Sequence, residues 1–154
     1  MNTITADSFT GLIAVALERM AFVVLEPADE SPAEVLVRSV AHASIELEGT
    51  ERYRVSVSVS PGIVREVAAG MMGLDAEEVD VDDHARATVA ELANIFGGEL
   101  VMLLTGGESQ MSLGLPKDID DDTAGKLLDA AQEHGFVSVL HGDGGSLAVA
   151  VRRF

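Results

Sequence analysis

Cysteine is absent from this sequence. That excludes a disulfide framework and a thiolate metal site, and it fits a reducing compartment, so a cytoplasmic location is expected. Positive charge is scarce: 10 Lys and Arg stand against 26 Asp and Glu, a net charge of −16. Such a surface repels phosphate backbones and anionic lipid, so neither nucleic acid nor a membrane is an expected partner. The opening MNTITADSFTGLIAVALERMAF carries acids and no basic start, unlike a signal peptide. No apolar run reads as long enough to span a bilayer. At 47% hydrophobic and 23% charged residues, the composition is that of a folded chain rather than a disordered one. Its 154 residues suffice for one domain with a core, expected to occupy 1–154.

Periodicity supplies the elements. Phe9, Leu12, Ile13, Leu17 and Met20 recur at helical spacing, with Asp7 or Ser8 as the cap of a first helix over about 9–20. Phe22 to Leu25 reads as a short strand, and Pro27 to Glu34, with two prolines, as a polar loop. Ala41, Ala43, Ile45 and Leu47 alternate with polar residues, and so do Val55, Val57 and Val59. With Gly49 and Thr50 at the turn, these segments predict an antiparallel hairpin with one buried and one polar face. Pro61 opens a helix to about Met72, closed by Gly73. An acidic connector, Asp75 to Asp83, follows, with Asp82 or Asp83 capping the next helix.

That next helix is the informative one. Ala85, Val89, Leu92 and Phe96 form its apolar face, while Ala87, Glu91, Asn94 and Gly98 fall on a narrow stripe roughly opposite. Gly97 and Gly98 read as its left-handed C-cap. Leu100 to Leu104 and Met111 to Leu115 then read as strands around Thr105-Gly106-Gly107. Asp121 or Asp122 caps a helix over about 123–133, ended by Gly135, and a closing hairpin pairs Phe136–Leu140 with Leu147–Val151. Glu91 and Asn94 are three residues apart, so their side chains share one surface. Ala87, Ala90 and Gly98 around them are small enough for another backbone to come close. One account of the stripe is a solvated outer face with an indifferent Asn. The other is a site.

Glu91-Leu-Ala-Asn94, followed at long spacing by Pro116, resembles the signature of the CheC/CheX family of chemotaxis phosphatases, which act on the phosphorylated receiver protein CheY. The segment VSVSVSPGIVREVAAGMMG, Val55 to Gly73, is similar to the family's strand, helix and Met-Gly ending upstream of that signature. The resemblance covers about 50–116. It implies an α+β fold, an extended antiparallel sheet packed with long helices, in two pseudo-duplicated halves. It implies a phosphatase that hydrolyses the aspartyl phosphate of a CheY-like receiver in chemotaxis or two-component signalling. Asn94 would hold the attacking water, and Glu91 would meet the receiver's active-site Lys. It implies a homodimer, and no cofactor of its own, the magnesium being the receiver's. A single signature is the CheX-like pattern; in the front half Glu18-Arg19-Met20-Ala21 aligns with it, but Ala21 stands at the Asn position. The family often carries an acid or Ser four positions before the Glu, where this chain has Ala87. The rival reading is a non-catalytic module that binds a receiver or a flagellar switch component through the same face.

Other chemistry is set aside. The glycine turns Thr105–Glu108 and His141–Ser146 lack the Gly-Lys-Ser/Thr of a phosphate loop. Asp118, Asp120, Asp122 and Asp129 lack the glycine a calcium loop needs after the third acid, so they read as a capping cluster. His42, His84, His134 and His141 are scattered. Met71, Met72 and Met102 read as core, and Pro116 as the end of a strand near the signature helix.

Overall fold

A computed structural model of the chain describes residues 4–106 and 111–154. Gly107 and Glu108, which the sequence places in a glycine turn, lie outside them. Helix α1 runs Ala6–Ala21, capped by Thr5, whose hydroxyl accepts the Ser8 N–H while Ser8 reaches back; neither Asp7 nor Ser8 is the cap residue. It ends on Phe22 in the left-handed region, φ 57°. The expected strand at Phe22–Leu25 is not paired. Its alternation is real, with Val23 and Leu25 buried and Val24 exposed, but pairing begins only at β1, Glu26–Pro27. The expected loop contains a helix, α2, Pro32–Arg38. Its proline sits at the first turn, where no intrahelical N–H is needed, so the second proline of the segment starts a helix instead of breaking one.

The hairpin β2 (Ala41–Glu48) and β3 (Arg52–Val59) pairs in the expected register, Ala43 opposite Val57 and Ile45 opposite Val55. Helix α3, Pro61–Met72, closes on Gly73 at φ 69° as expected. The acidic connector holds one 3-10 turn, Ala76–Glu78, and Asp80, not Asp82 or Asp83, caps helix α4. Helix α4 is the largest departure from the sequence reading. It runs Val81–Thr105 straight through Gly97 and Gly98, and its left-handed cap is Gly106 at φ 63°. The expected strand at Leu100–Leu104 is its last turns. At this length α4 is apolar enough to cross a membrane by composition, contrary to the expectation above, yet Val89, Leu92, Phe96 and Leu100 are fully buried against the fold.

The expected strand at Met111–Leu115 shrinks to two short pairings with β2: β4, Ser112–Leu113, and β5, Lys117–Asp118, with Pro116 between them. Proline has no N–H to give a ladder, so the pairing lapses there. Helix α5, Asp121–His134, is capped by Asp120, which accepts the Thr123 N–H at 2.8 Å, in place of Asp121 or Asp122. Strands β6 (Gly135–His141) and β7 (Ser146–Arg153) close the chain as the expected hairpin.

Among the described residues the strands form one antiparallel sheet in the order β1-β6-β7-β3-β2-β4, with β5 also on β2. The order maps onto itself when the halves are exchanged: each half's short strand edges the other half's hairpin, and β3 meets β7 at the centre. The duplication expected from the two helices is thus built into the topology. Helices α1, α3 and α4 cover one face, where Phe9, Ile45, Val55, Val57, Leu92, Phe96 and Val149 share a core. Helices α2 and α5 cover the other, around Val35, Leu128, Ala131, Ala148 and Ala150. The face expected to be polar is therefore buried too. Ser44, Ser56 and Ser58 are each under a tenth exposed, and His42, 3% exposed, bridges the Ser58 hydroxyl (2.7 Å) and the Asp121 carboxylate (2.8 Å). Bonded this way, a small polar face can pack under a helix.

Helices α1 and α3 cross at Gly70. A Cβ there would lie 1.6 Å from the Ala21 carbonyl oxygen, and backbone cannot swing aside as a side chain can. Gly70→Ala should therefore lower unfolding free energy by about 1–3 kcal/mol, despite alanine's better helix propensity. Urea denaturation would check this; an unchanged or stabilised variant would mean that the two helices part easily.

Candidate functional site on helix α4

The apolar stripe of α4 lies on β2 and β3, which turns the opposite stripe outward. Glu91 and Ala87 are exposed; Asn94, Ala90 and Gly98 are partly exposed. Among the described residues neither the Glu91 nor the Asn94 side chain makes a hydrogen bond or ion pair with the rest of the fold. An acid and an amide one turn apart, free of internal partners and flanked by small residues, can both be offered to something outside.

The flanks of this stripe are fixed. On one side, Gly97 lets α4 sit close to the sheet: a Cβ there would meet Leu113 Cδ1 at 2.8 Å and Ile45 Cγ2 at 3.2 Å. Further towards the helix start, Arg86 pairs with Asp118 at 3.3 Å. Leu113 lies in β4 and Asp118 in β5, so the arm runs beside α4 with its two tie points bracketing the Glu91–Asn94 turn. Pro116 lies between them, partly buried. On the other side α1 lies against α4, with Arg19 and Glu99 3.9 Å apart. The sequence reading found the pair and missed this framing. The signal was present: Leu100, Leu103 and Leu104 continue the period of Leu92 and Phe96 across the two glycines.

The front half offers no second pair. Glu18 is exposed, but Ala21 is fully buried under α3 at the Gly70 crossing. The acids downstream have other work: Asp118 holds Arg86, Asp120 caps α5 and Asp121 meets His42. Among the described residues no three His, Asp or Glu side chains converge as a metal site would require. Met72 and Met102 are more than half exposed, so they are not the core residues expected; Met71 does pack on the core.

Fold and site together define an α+β protein of two symmetry-related halves, with an outward acid–amide pair on one of its two related helices. The family model described as chemotaxis phosphatase CheX matches residues 41–141, and the chain belongs to that family. Solved structures agree in fold at low identity. The chemotaxis protein CheX from Vibrio vulnificus is 14% identical, with TM-score 0.68 over 99% of this chain and 100% of its own. A CheC-like superfamily protein from Shewanella sp. PV-4 is 17% identical, TM-score 0.67, covering 100% and 99%. The CheX–CheY–BeF3–Mg complex from Borrelia burgdorferi gives 15% identity, TM-score 0.62, and 97% and 99% coverage. No curated protein matches the sequence.

Because Ala21 is shut beneath α3, the front helix has no acid–amide pair to offer. Glu18→Ala should leave catalysed dephosphorylation within about twofold of wild type, as surface changes away from a site usually do. A loss as large as that of Glu91→Ala would reveal a second working face.

Proposed function

We propose that this chain hydrolyses the aspartyl phosphate of a CheY-like receiver domain, with Glu91 and Asn94 of α4 entering the receiver's phosphorylation pocket. The observation that carries this is the outward, internally unpartnered Glu91–Asn94 pair on a helix whose neighbours there are Ala87, Ala90 and Gly98. Family membership and the Borrelia burgdorferi complex of a CheX with a CheY support it.

Hydrolysis of an acyl phosphate needs a water in line with phosphorus. The Asn94 amide carries both a donor and an acceptor on a short stem, so it orients that water without removing its proton. A glutamine does the corresponding work in small GTPases. Holding one water contributes on the order of 10²-fold, a fraction of what full orientation gives. Glu91 fixes the approach by pairing with the receiver's active-site Lys. The magnesium in the reaction is the receiver's own. The protein acts as a homodimer, as the family resemblance implies, and in the cytoplasm, which its cysteine-free sequence fits; light scattering tests the first.

Asn94→Ala should abolish accelerated phosphate release from a phosphorylated receiver while leaving receiver affinity and thermal melting near wild type. Wild-type turnover by this variant would remove the water-positioning role. A wild-type protein that binds receivers without accelerating hydrolysis would instead establish a binding module, a reading to which Ala87, in place of the family's frequent acid or Ser, belongs.

Glu91→Ala should weaken the complex by about 2–5 kcal/mol, the cost of leaving one member of a desolvated charge pair alone. Glu91→Gln, which keeps the shape and loses the charge, should fall between. Ala87→Leu should weaken binding by filling the approach space. Titration with a receiver held in its phosphorylated-like state measures all three, and unchanged affinity throughout would move the docking surface off this helix.

A further inference from the structure

Phe22 combines two costs that a fold normally avoids. As the cap of α1 it holds φ 57°, in the left-handed region where a bulky side chain crowds its own backbone. The other two described residues in that region, Gly73 after α3 and Gly106 after α4, are glycines, the usual occupants of such caps. The Phe22 ring is also 79% exposed, the most of any aromatic in the chain. Packing inside the fold therefore offsets little of the strain. A strained backbone with so little internal compensation points to a use outside the fold.

The Arg19–Glu99 contact, at 3.9 Å, sets Phe22 beside the Glu91–Asn94 turn. Phe22 is three residues on from Arg19, about 4.5 Å along α1, and Asn94 is five residues back from Glu99, about 7.5 Å along α4. Packed helices lie about 8–10 Å apart, so ring and amide are within on the order of 20 Å whichever way the helices run. Both helices cover the same face of the sheet. Val15, four residues before Arg19, and Met102, three after Glu99, are exposed around the same contact. Glu18 is turned about 100° round α1 from Arg19, off the side that meets α4. A standard protein–protein interface covers about 800 Å² on each partner, on the order of 30 Å across. A receiver centred on Glu91 and Asn94 therefore extends over α1 and reaches Phe22.

Resting on the reading of Glu91 and Asn94 given above, we propose that Phe22 is the apolar anchor of the receiver-docking surface. Its ring seats on an apolar patch beside the receiver's phosphorylation pocket, with Val15 and Met102 at the margin. The labour is divided between two helices. Asn94 and Glu91 of α4 act inside the pocket, and Phe22 of α1 holds the receiver against them. A rigid aromatic with two side-chain torsions buries a large area at low entropic cost, which is why such residues dominate the energetics of interfaces. Phe22 is thus a positioning and specificity residue: it favours receivers whose surface at that point is apolar.

The test uses the full chain. Turnover is measured on a phosphorylated CheY-like receiver, and affinity by titration with the same receiver held phosphorylated-like by beryllofluoride and magnesium. Phe22→Ala removes the ring alone; Phe22→Gly removes it and also relieves the backbone. Each should weaken affinity and raise KM by about tenfold while kcat stays within about twofold. Asn94→Ala should do the reverse, losing kcat and keeping affinity. Without receiver, Phe22→Gly should melt at or above the wild-type temperature, because glycine takes the left-handed conformation freely. Unchanged affinity and KM in both Phe22 variants would overturn the proposal and leave the Glu91–Asn94 reading standing. A wild-type chain that neither binds nor dephosphorylates the receiver would remove that reading, and this proposal with it. A marked fall in the melting temperature of Phe22→Gly would also overturn the proposal, because it would make the ring a structural residue.

Discussion

Helix α4 is seated on the sheet through a residue with no side chain. At Gly97 the helix backbone faces Ile45 of β2 and Leu113 of β4, and any larger residue would have to push one of them aside. That close seat sets the height at which the whole helix rides. It buries Leu92, Phe96 and Leu100 in the same core as the inner residues of β2 and β3. It also brings the β4–β5 arm within reach of Arg86. The outward stripe with Glu91 and Asn94 is the far side of this arrangement, so its direction follows from packing underneath it.

Symmetry explains why there are two such helices and asymmetry why one carries the pair. The sheet order reads the same with the halves exchanged, so α1 and α4 occupy related places on the same face. Yet Ala21 in α1 lies directly under α3, where Gly70 has shed its side chain to let the helices touch. An amide at that position would have nowhere to go. In the related place on α4 the Asn94 side chain reaches the surface.

The sequence was most legible where one period ran unopposed. The β2–β3 hairpin, α3 with its Pro61 start and Gly73 stop, the β6–β7 hairpin and the outward placement of Glu91 and Asn94 all follow from spacing. It was least legible where local punctuation competed with tertiary packing. Gly97-Gly98 looks like a helix end, but the burial of Leu100 beyond it outweighs the propensity cost of two glycines. Ser56 and Ser58 look like a solvent face, and only the positions of α2 and α5, set by distant parts of the chain, bury them. Pro32 looks like part of a loop because the two prolines of that segment read alike, though one begins a helix. The capping acids were misplaced by one to three residues at α4 and α5, where several aspartates in a row make equivalent candidates.

The apolar length of α4 has a consequence for how the chain is made. Taken alone, Val81–Thr105 has the length and hydropathy of a membrane-spanning helix. Its shelter is the β2–β3 hairpin, and that hairpin is encoded upstream. When α4 leaves the ribosome, the strands it must cover have already emerged. The order of elements along the gene thus supplies the cover before the segment that needs it. A permuted chain with α4 placed ahead of β2 would bring that apolar helix out before the strands that cover it.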